Sequence, residues 1–186
     1  IECLNDLGII ENNQGNYEQA KKFCEESLAL RREAGDKIGI SRSLNNFGLI
    51  EFNLGNYEQA QKFFKESISI KRELGDKRGI SNTLSNMGNI AVIQGDYEGA
   101  RSFLEESLLL RRELGDKNGI AGSLNSLGLL SYNQGNYDQA NNFFEESLTL
   151  RRELGDKSGI AVSIHNLGLL EYNKGNNELA QKLNEE

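Results

Sequence analysis

The sequence of 186 residues has no proline and no tryptophan, only two cysteines and a single histidine. Cys3 and Cys24 are too few for a disulfide framework, and this favours a reducing compartment, so we expect a cytoplasmic protein. One histidine and two cysteines cannot build a metal site or a Ser–His–Asp or Cys–His catalytic set. The sequence therefore predicts no metal, no cofactor and no enzyme activity.

The chain also lacks a net positive charge and long apolar stretches. Its formal net charge is −7, from 28 acidic and 21 basic residues, so it has no field that would attract a polyanion. No apolar run approaches the roughly 18 residues that span a bilayer, and the first residues lack the basic segment of a signal peptide. We expect neither nucleic acid nor a membrane as a partner.

The 20 glycines reveal an internal repeat. Counted from residue 1 in blocks of forty, every glycine except Gly99 and Gly122 falls at repeat position 8, 15, 35 or 39. The alignment of the blocks needs no gap. Units of this kind contact mainly their neighbours in a solenoid. We expect one array over residues 1–186, with repeats at about 1–36, 37–76, 77–116, 117–156 and 157–186, the last one truncated.

Each unit has the pattern of two helices. Apolar residues in the segment 40–50 recur three or four residues apart, which is helical periodicity. Gly55 ends this first helix, and Asn56 is expected to cap a second helix that runs to about Leu74. Gly75 ends the second helix, and Asp76 is placed to cap the next one. The unit is therefore an antiparallel helix pair with very short connections.

These residues resemble the tetratricopeptide repeat. In the second unit the resemblance rests on Leu44, Phe47, Gly48, Gly55, Tyr57, Ala60 and Phe63. The forty-residue unit with its Gly-Asp-Lys turn is similar to the repeats of Leu-Gly-Asn-rich spindle adaptors, kinesin light chains and bacterial regulatory arrays. It departs from the family by lacking the large residue common at the Leu44 position and the terminal proline. The resemblance implies an all-α, right-handed α-α superhelical solenoid whose concave wall of first helices receives a peptide or partner segment.

The first helices carry the candidate binding residues. At about 100° per residue, repeat positions 2, 5, 6, 9, 12 and 13 lie opposite the stripe that packs within the pair. Carboxamides can both donate to and accept from a peptide backbone, and we expect a ladder of them, with the one histidine, formed by Asn5, Asn45, Asn46, Asn53, Asn86, Asn125, Asn133, Asn166 and His165. The apolar anchors expected beside them are Leu49, Phe52, Leu129, Tyr132, Leu169 and Tyr172, and the few charges are Arg42 and Arg78.

Structural roles compete with binding at the same positions. The asparagines would also satisfy polar groups between repeats, and position 13 lies in the last helical turn, where capping is common. The apolar residues at positions 9 and 12 suit an inter-repeat core equally well. The basic pairs at positions 31 and 32, such as Arg111-Arg112, stand among glutamates and are interpreted as solvated, salt-bridged helix ends.

Three functions are compatible with this pattern. The first is a non-enzymatic scaffold for protein–protein interaction that binds a mostly uncharged peptide or partner segment in its groove. The second is a sensor or regulatory arm of a larger multidomain protein. The third is a structural array built by end-to-end self-association, because open solenoid ends leave apolar faces uncovered.

Overall fold

The computed structural model describes residues 2–185, with side chains described for residues 2–183. Within these residues the chain forms ten α-helices and no strand. The helices are α1 (Glu2–Asn13), α2 (Tyr17–Glu33), α3 (Lys37–Asn53), α4 (Tyr57–Glu73), α5 (Lys77–Ile93), α6 (Tyr97–Glu113), α7 (Lys117–Asn133), α8 (Tyr137–Leu154), α9 (Lys157–Asn173) and α10 (Asn177–Glu185). The predicted all-α class is confirmed, and each repeat holds one helix pair.

Glycine and aspartate set the turns between the helices. Gly55 and Gly75 have φ angles of 79° and 67°, a left-handed conformation that strains other residues. The carboxylate of Asp76 accepts a hydrogen bond from the Gly79 backbone N–H at 2.9 Å, so the cap predicted for α5 is confirmed. These turns end each helix after about four and a half helical turns and reverse the chain.

Asparagine at the start of the second helices does not cap them. The side chain of Asn56 makes no cap bond, and its Nδ2 instead donates to the Glu51 carboxylate at 2.7 Å. Asn176 makes the same contact with Glu171 at 2.6 Å. The cap predicted at Asn56 was wrong: its amide is turned toward the Glu51 carboxylate, with which it makes a charge-assisted hydrogen bond.

Position 8 brings the two helices of a pair into close contact. A Cβ atom added at Gly48 would overlap the ring of Phe64, and one at Gly128 would overlap the ring of Phe144. Both rings are fully buried. The glycine therefore opens the space in which the aromatic side chain of the second helix lies.

The chain divides into two compact units, one up to Ile90 and the other from Ala91. The core of the first unit contains Ala20, Cys24, Leu28, Leu44, Phe47 and Ile50. The second unit has one apolar cluster around Leu104, Leu124 and Leu127 and another around Phe144, Leu167 and Leu170. None of the helices in residues 2–185 is long and apolar enough to cross a membrane.

Candidate partner-binding faces

In the first unit, the asparagines of the first helices bond to one another between repeats. Asn46 Nδ2 on α3 donates to Asn5 Oδ1 on α1 at 2.8 Å. Asn45 Oδ1 accepts from the hydroxyl of Thr83 on α5 at 2.8 Å. Asn5 is buried and Asn45 half-buried. These amides therefore join the first helices of neighbouring repeats.

The second unit repeats this arrangement. Asn166 Nδ2 on α9 donates to Asn125 Oδ1 on α7 at 2.7 Å, and Asn166 is buried. One turn from the helix end, Asn173 Nδ2 donates to the Tyr132 hydroxyl at 2.6 Å. These bonds agree with the alternative that the sequence left open, in which the asparagines satisfy polar groups between repeats. Binding of a ligand to their other donors and acceptors stays a prediction.

The apolar residues at positions 9 and 12 lie in different environments. Leu129 and Leu169 are equally exposed, at 39% each, although the first helix α9 follows Leu129 and no further first helix is described after Leu169. Tyr132 is half-buried against the core of α8 and α9, whereas Tyr172 is 65% exposed. Stacking of a following repeat therefore covers position 12 and leaves position 9 in solvent.

The first helices of the second unit carry almost no charge on this side. From Asn118 to Asn133, α7 has no acidic or basic residue, and α9 has none from Ser158 to Leu170 apart from the single histidine. We call the exposed residues Leu129, Asn133, Val162, His165 and Leu169 the α7/α9 face. This face offers two leucines and a valine among uncharged polar groups.

A cavity of about 550 Å³ adjoins this face between α9 and α10. Its lining consists of His165, Gly168, Leu169, Tyr172, Asn177, Ala180 and Gln181. Position 17, a tyrosine in the first four repeats, is Asn177 here. The ring contact that Tyr132 makes with Tyr137, with centroids 5.7 Å apart, has no aromatic counterpart in this repeat, and this leaves the cavity open.

The other predicted residues are spread over the first unit. Leu49 and Phe52 are half-buried, and the Phe52 ring packs on Tyr57 with centroids 5.9 Å apart. Arg42 and Arg78 are exposed near the starts of α3 and α5. Three further asparagines complete the set: Asn53, which is exposed and bonds to Asn12, the half-buried Asn86, and Asn133 of the second unit. At the predicted positions the first unit therefore has half-buried apolar side chains beside exposed arginines, whereas Leu129 and Leu169 of the α7/α9 face are exposed.

Position 31 holds a buried cation that the sequence analysis missed. Arg31 is buried, and its Nη1 donates to the Gly39 carbonyl at 2.6 Å and to the Ser43 hydroxyl at 3.2 Å. Arg111 makes the same contacts in the second unit. The prediction of a solvated, salt-bridged pair was wrong for position 31. It is confirmed for position 32, where the exposed Arg112 pairs with Glu146 at 2.9 Å. The sequence signal that could have indicated this burial is the glycine at position 39 together with the hydroxyl residue at position 3, which leave room for the guanidinium and accept its hydrogen bonds.

Lysine replaces arginine at this position in the second repeat. Lys71 Nζ donates to the Thr83 hydroxyl at 2.8 Å, with the Gly79 carbonyl at 3.4 Å. Burial lowers the pKa of Lys71 to about 8, partly offset by Asp76 and reinforced by the nearby Arg42 charge. Because the amine is enclosed, it serves packing and is not accessible to a substrate. Among the described residues, no group of three His, Cys, Asp or Glu side chains could hold a metal ion.

A family model decides what these repeats are. The tetratricopeptide repeat model matches residues 1–73, 79–153 and 119–186, so that nearly the whole chain is covered. The chain belongs to the tetratricopeptide repeat family. No curated protein matches this tetratricopeptide repeat chain closely enough to count as a relative.

Solved structures of other proteins share the fold. BtubC from P. vanneervenii is 20% identical with a TM-score of 0.88, and the match covers 98% of this chain and 76% of BtubC. A signal transduction ATPase with numerous domains from Pyrococcus horikoshii, which has a tetratricopeptide repeat sensor, is 19% identical with a TM-score of 0.86, over 98% of this chain and 28% of that one. A Rap protein in complex with competence and sporulation factor is 15% identical with a TM-score of 0.82, over 97% and 50%. At these identities the likeness shows the fold alone.

Proposed function

We propose that this tetratricopeptide repeat chain is a non-enzymatic interaction module that binds a mostly uncharged segment of a partner protein on the α7/α9 face. The observation that carries the proposal is the equal exposure of Leu129 and Leu169. Packing covers these side chains only in part, and the presence of a following first helix leaves Leu129 as exposed as Leu169. Leucines left in solvent at regular spacing along a groove wall are typical anchors for a partner.

The proposal assigns different roles to the predicted residues. Leu129, Val162 and Leu169 supply apolar contacts, and His165 and Asn133 supply hydrogen bonds at the edge. Asn125 and Asn166 mainly hold the two first helices in register, because each already bonds to the other. The scarcity of charge on the face selects against acidic or basic ligands, since a charged group would lose water without gaining a partner.

Fold likeness supports binding as the general role. The Rap protein was solved in complex with a factor, and the Pyrococcus horikoshii protein uses its repeats as a sensor. A sensor or regulatory arm of a larger protein would bind its partner in the same way. This second candidate function therefore differs from the first only in the protein that carries the repeats. Exclusion of nucleic acid as a ligand and a cytoplasmic location are further parts of the proposal, supported by the net charge and by the two free cysteines.

Selection from a random peptide library displayed on phage tests the proposal. The wild-type chain is one bait, and Leu129→Glu/Leu169→Glu is the other. The control is Leu109→Glu, which changes an exposed leucine on α6, a second helix. All baits are matched by circular dichroism. We expect uncharged peptides with apolar anchors to be enriched by the wild type and by the control only. Equal enrichment of the same peptides by the double variant would overturn the proposal.

A further inference from the structure

The amine of Lys71 lies among three hydrogen-bond acceptors in the first unit. Its Nζ is 2.8 Å from the Thr83 hydroxyl, 3.4 Å from the Gly79 carbonyl and 3.5 Å from Asn45 Oδ1. A protonated amine has three donors and no acceptor, so the charged form has one hydrogen for each of these oxygens. Because Lys71 is only 5% exposed, these groups take the place of water around the charge. A neutral amine would keep two donors and gain a lone pair.

Thr83 connects this amine to Asn45. Its oxygen accepts from Lys71, and its single proton has two acceptors within reach, Asn45 Oδ1 at 2.8 Å and the Gly79 carbonyl at 2.9 Å. Lysine at position 31 and threonine at position 3 of the following repeat occur together at this junction alone, since the others combine arginine with serine. The sequence therefore changes both members of the contact at once.

The oxygen of the position-5 asparagine has a different donor at two other junctions. There it accepts from the position-6 amide of the next first helix, in the pairs Asn46–Asn5 and Asn166–Asn125. At the junction of α3 and α5, position 6 is the half-buried Asn86, while the Asn45 oxygen is bound by Thr83. By analogy with those pairs, Asn45 has a second donor on α5, about one helical turn from the first.

Two charged groups face the Lys71 amine and act in opposite directions. Arg42 on α3 disfavours the charged form, whereas Asp76 in the turn before α5 favours it, and burial of the amine is the largest of the three effects. Together they lower the pKa of Lys71 to about 8. The charge on this side chain therefore changes between about pH 7 and about pH 9.

We propose that the charge on Lys71 decides whether the Asn45 oxygen binds Thr83 or Asn86. With the charged amine, Lys71 donates to Thr83 and the Thr83 proton is directed at Asn45, as in the structure. When the amine loses its proton to solvent, its lone pair accepts the Thr83 proton, and the Asn45 oxygen turns to the Asn86 amide as its counterparts do. The Asn86 amide is then available to a ligand only while Lys71 is charged. This switch lies in the first unit, uses no residue of the α7/α9 face and goes beyond the binding function proposed above.

Carbon-detected NMR of the asparagine side-chain carbonyls tests the proposal on the intact chain. This measurement does not depend on amide protons, which exchange rapidly with water at high pH. Over a range from about pH 6.5 to about pH 10, we expect the Cγ resonances of Asn45 and Asn86 to shift together. Both should follow a one-proton curve with its midpoint at about pH 8. Asn125 and Asn166 are the controls, because the cation at their junction is Arg151, and their resonances should stay constant.

Two variants separate the switch from the electric field of the amine. Lys71→Arg keeps its charge throughout this pH range, so the Asn45 and Asn86 resonances should not titrate. Thr83→Val removes the hydroxyl but keeps the amine and the branched shape, and Asn86 should then hold its high-pH resonance at every pH. A wild-type chain in which Asn86 does not titrate, or a titration of Asn86 that persists in either variant, would overturn the proposal.

Discussion

The side chain at position 31 shows how one residue joins two repeats. The cation lies under the start of the next first helix, where it binds a backbone carbonyl and a hydroxyl, as Arg31 does with Gly39 and Ser43. An arginine reaches both acceptors with a single nitrogen and keeps its charge. A lysine in this place keeps only a compact ammonium that is costly to enclose. The second repeat, with Lys71, is therefore where the array should respond to pH.

We predict that the free energy of unfolding rises between pH 8 and about pH 10 because of Lys71. Its pKa in the folded chain is about 8, below the ordinary 10.5. Below pH 8 both states are protonated, and above it the folded state loses its proton first, so the unfolded state binds more protons and stability increases. Urea unfolding at the two pH values should show a gain on the order of 2 kcal/mol relative to Lys71→Arg, which keeps its charge. Identical pH profiles for the two proteins would contradict this account.

Gly128 is predicted to be essential for packing within its pair. Gly128→Ala should lower the free energy of unfolding by about 1–3 kcal/mol, because the added methyl group meets the buried Phe144 ring. Phe144→Leu in the same chain should recover part of the loss, as leucine occupies this position in the third repeat. Gly122→Ala is the control on the same helix, where nothing lies closer than 3.9 Å, and it should stabilise by about 0.5–1 kcal/mol. Chemical denaturation measures all of these, and equal effects of the two alanines would disprove the steric argument.

At the level of elements, hydrogen bonds between neighbouring first helices set their register. Four amide donors reach back to the preceding repeat, each over a separation of 41 residues. Asn166→Ala should remove one such bond and leave Asn125 without it, at a cost of about 1–2 kcal/mol. Asn133→Ala on exposed α7 surface should cost less than about 0.5 kcal/mol. Thermal or urea unfolding compares them, and equal stability of the two variants would return these asparagines to the list of groups available for a ligand.

Helix boundaries could be predicted because single residues decide them. Gly55, Gly75 and Asp76 act through local backbone geometry, and the structure places them as the sequence predicts. Partners of polar side chains could not be predicted in the same way. Asn56 had a helix end and a carboxylate within reach, and the choice between them depends on distances that the sequence does not contain.

The candidate site was predictable in its helices and less so in its residues. The spacing of position 9 identified Leu129 and Leu169 as candidates, yet the same spacing fitted an inter-repeat core. The two roles are separated only by comparing the exposure of Leu129, which is followed by the first helix α9, with that of Leu169, after which no further first helix is described. The burial of Arg31 escaped the sequence analysis because a long side chain beside glutamates looks solvated until the opening above it, formed by small residues of another helix, is known.

For the whole molecule, charged residues are fewer on the first helices than on the second helices and at the helix ends. Acidic and basic residues are concentrated on the second helices and at the helix ends, where they form exposed ion pairs such as Lys37–Glu73 and Lys117–Glu153. Pairs of this kind contribute little to stability and mainly keep the surface soluble. Beyond their first residue, α7 carries no charged side chain and α9 carries none up to Leu170 apart from the single histidine, and both helices have exposed leucines. This division of charge is what favours an uncharged, apolar partner segment on the first-helix side.

The affinity of one selected peptide for three proteins tests this account most directly. The peptide is the one most enriched by the wild-type chain, and the proteins are wild type, Leu169→Glu and Leu109→Glu, measured by isothermal titration calorimetry. If Leu169 anchors the partner, its replacement should weaken binding at least about tenfold, as expected for a buried apolar contact, while Leu109→Glu should change the dissociation constant less than about twofold. Equal affinity for wild type and Leu169→Glu would show that the partner binds elsewhere.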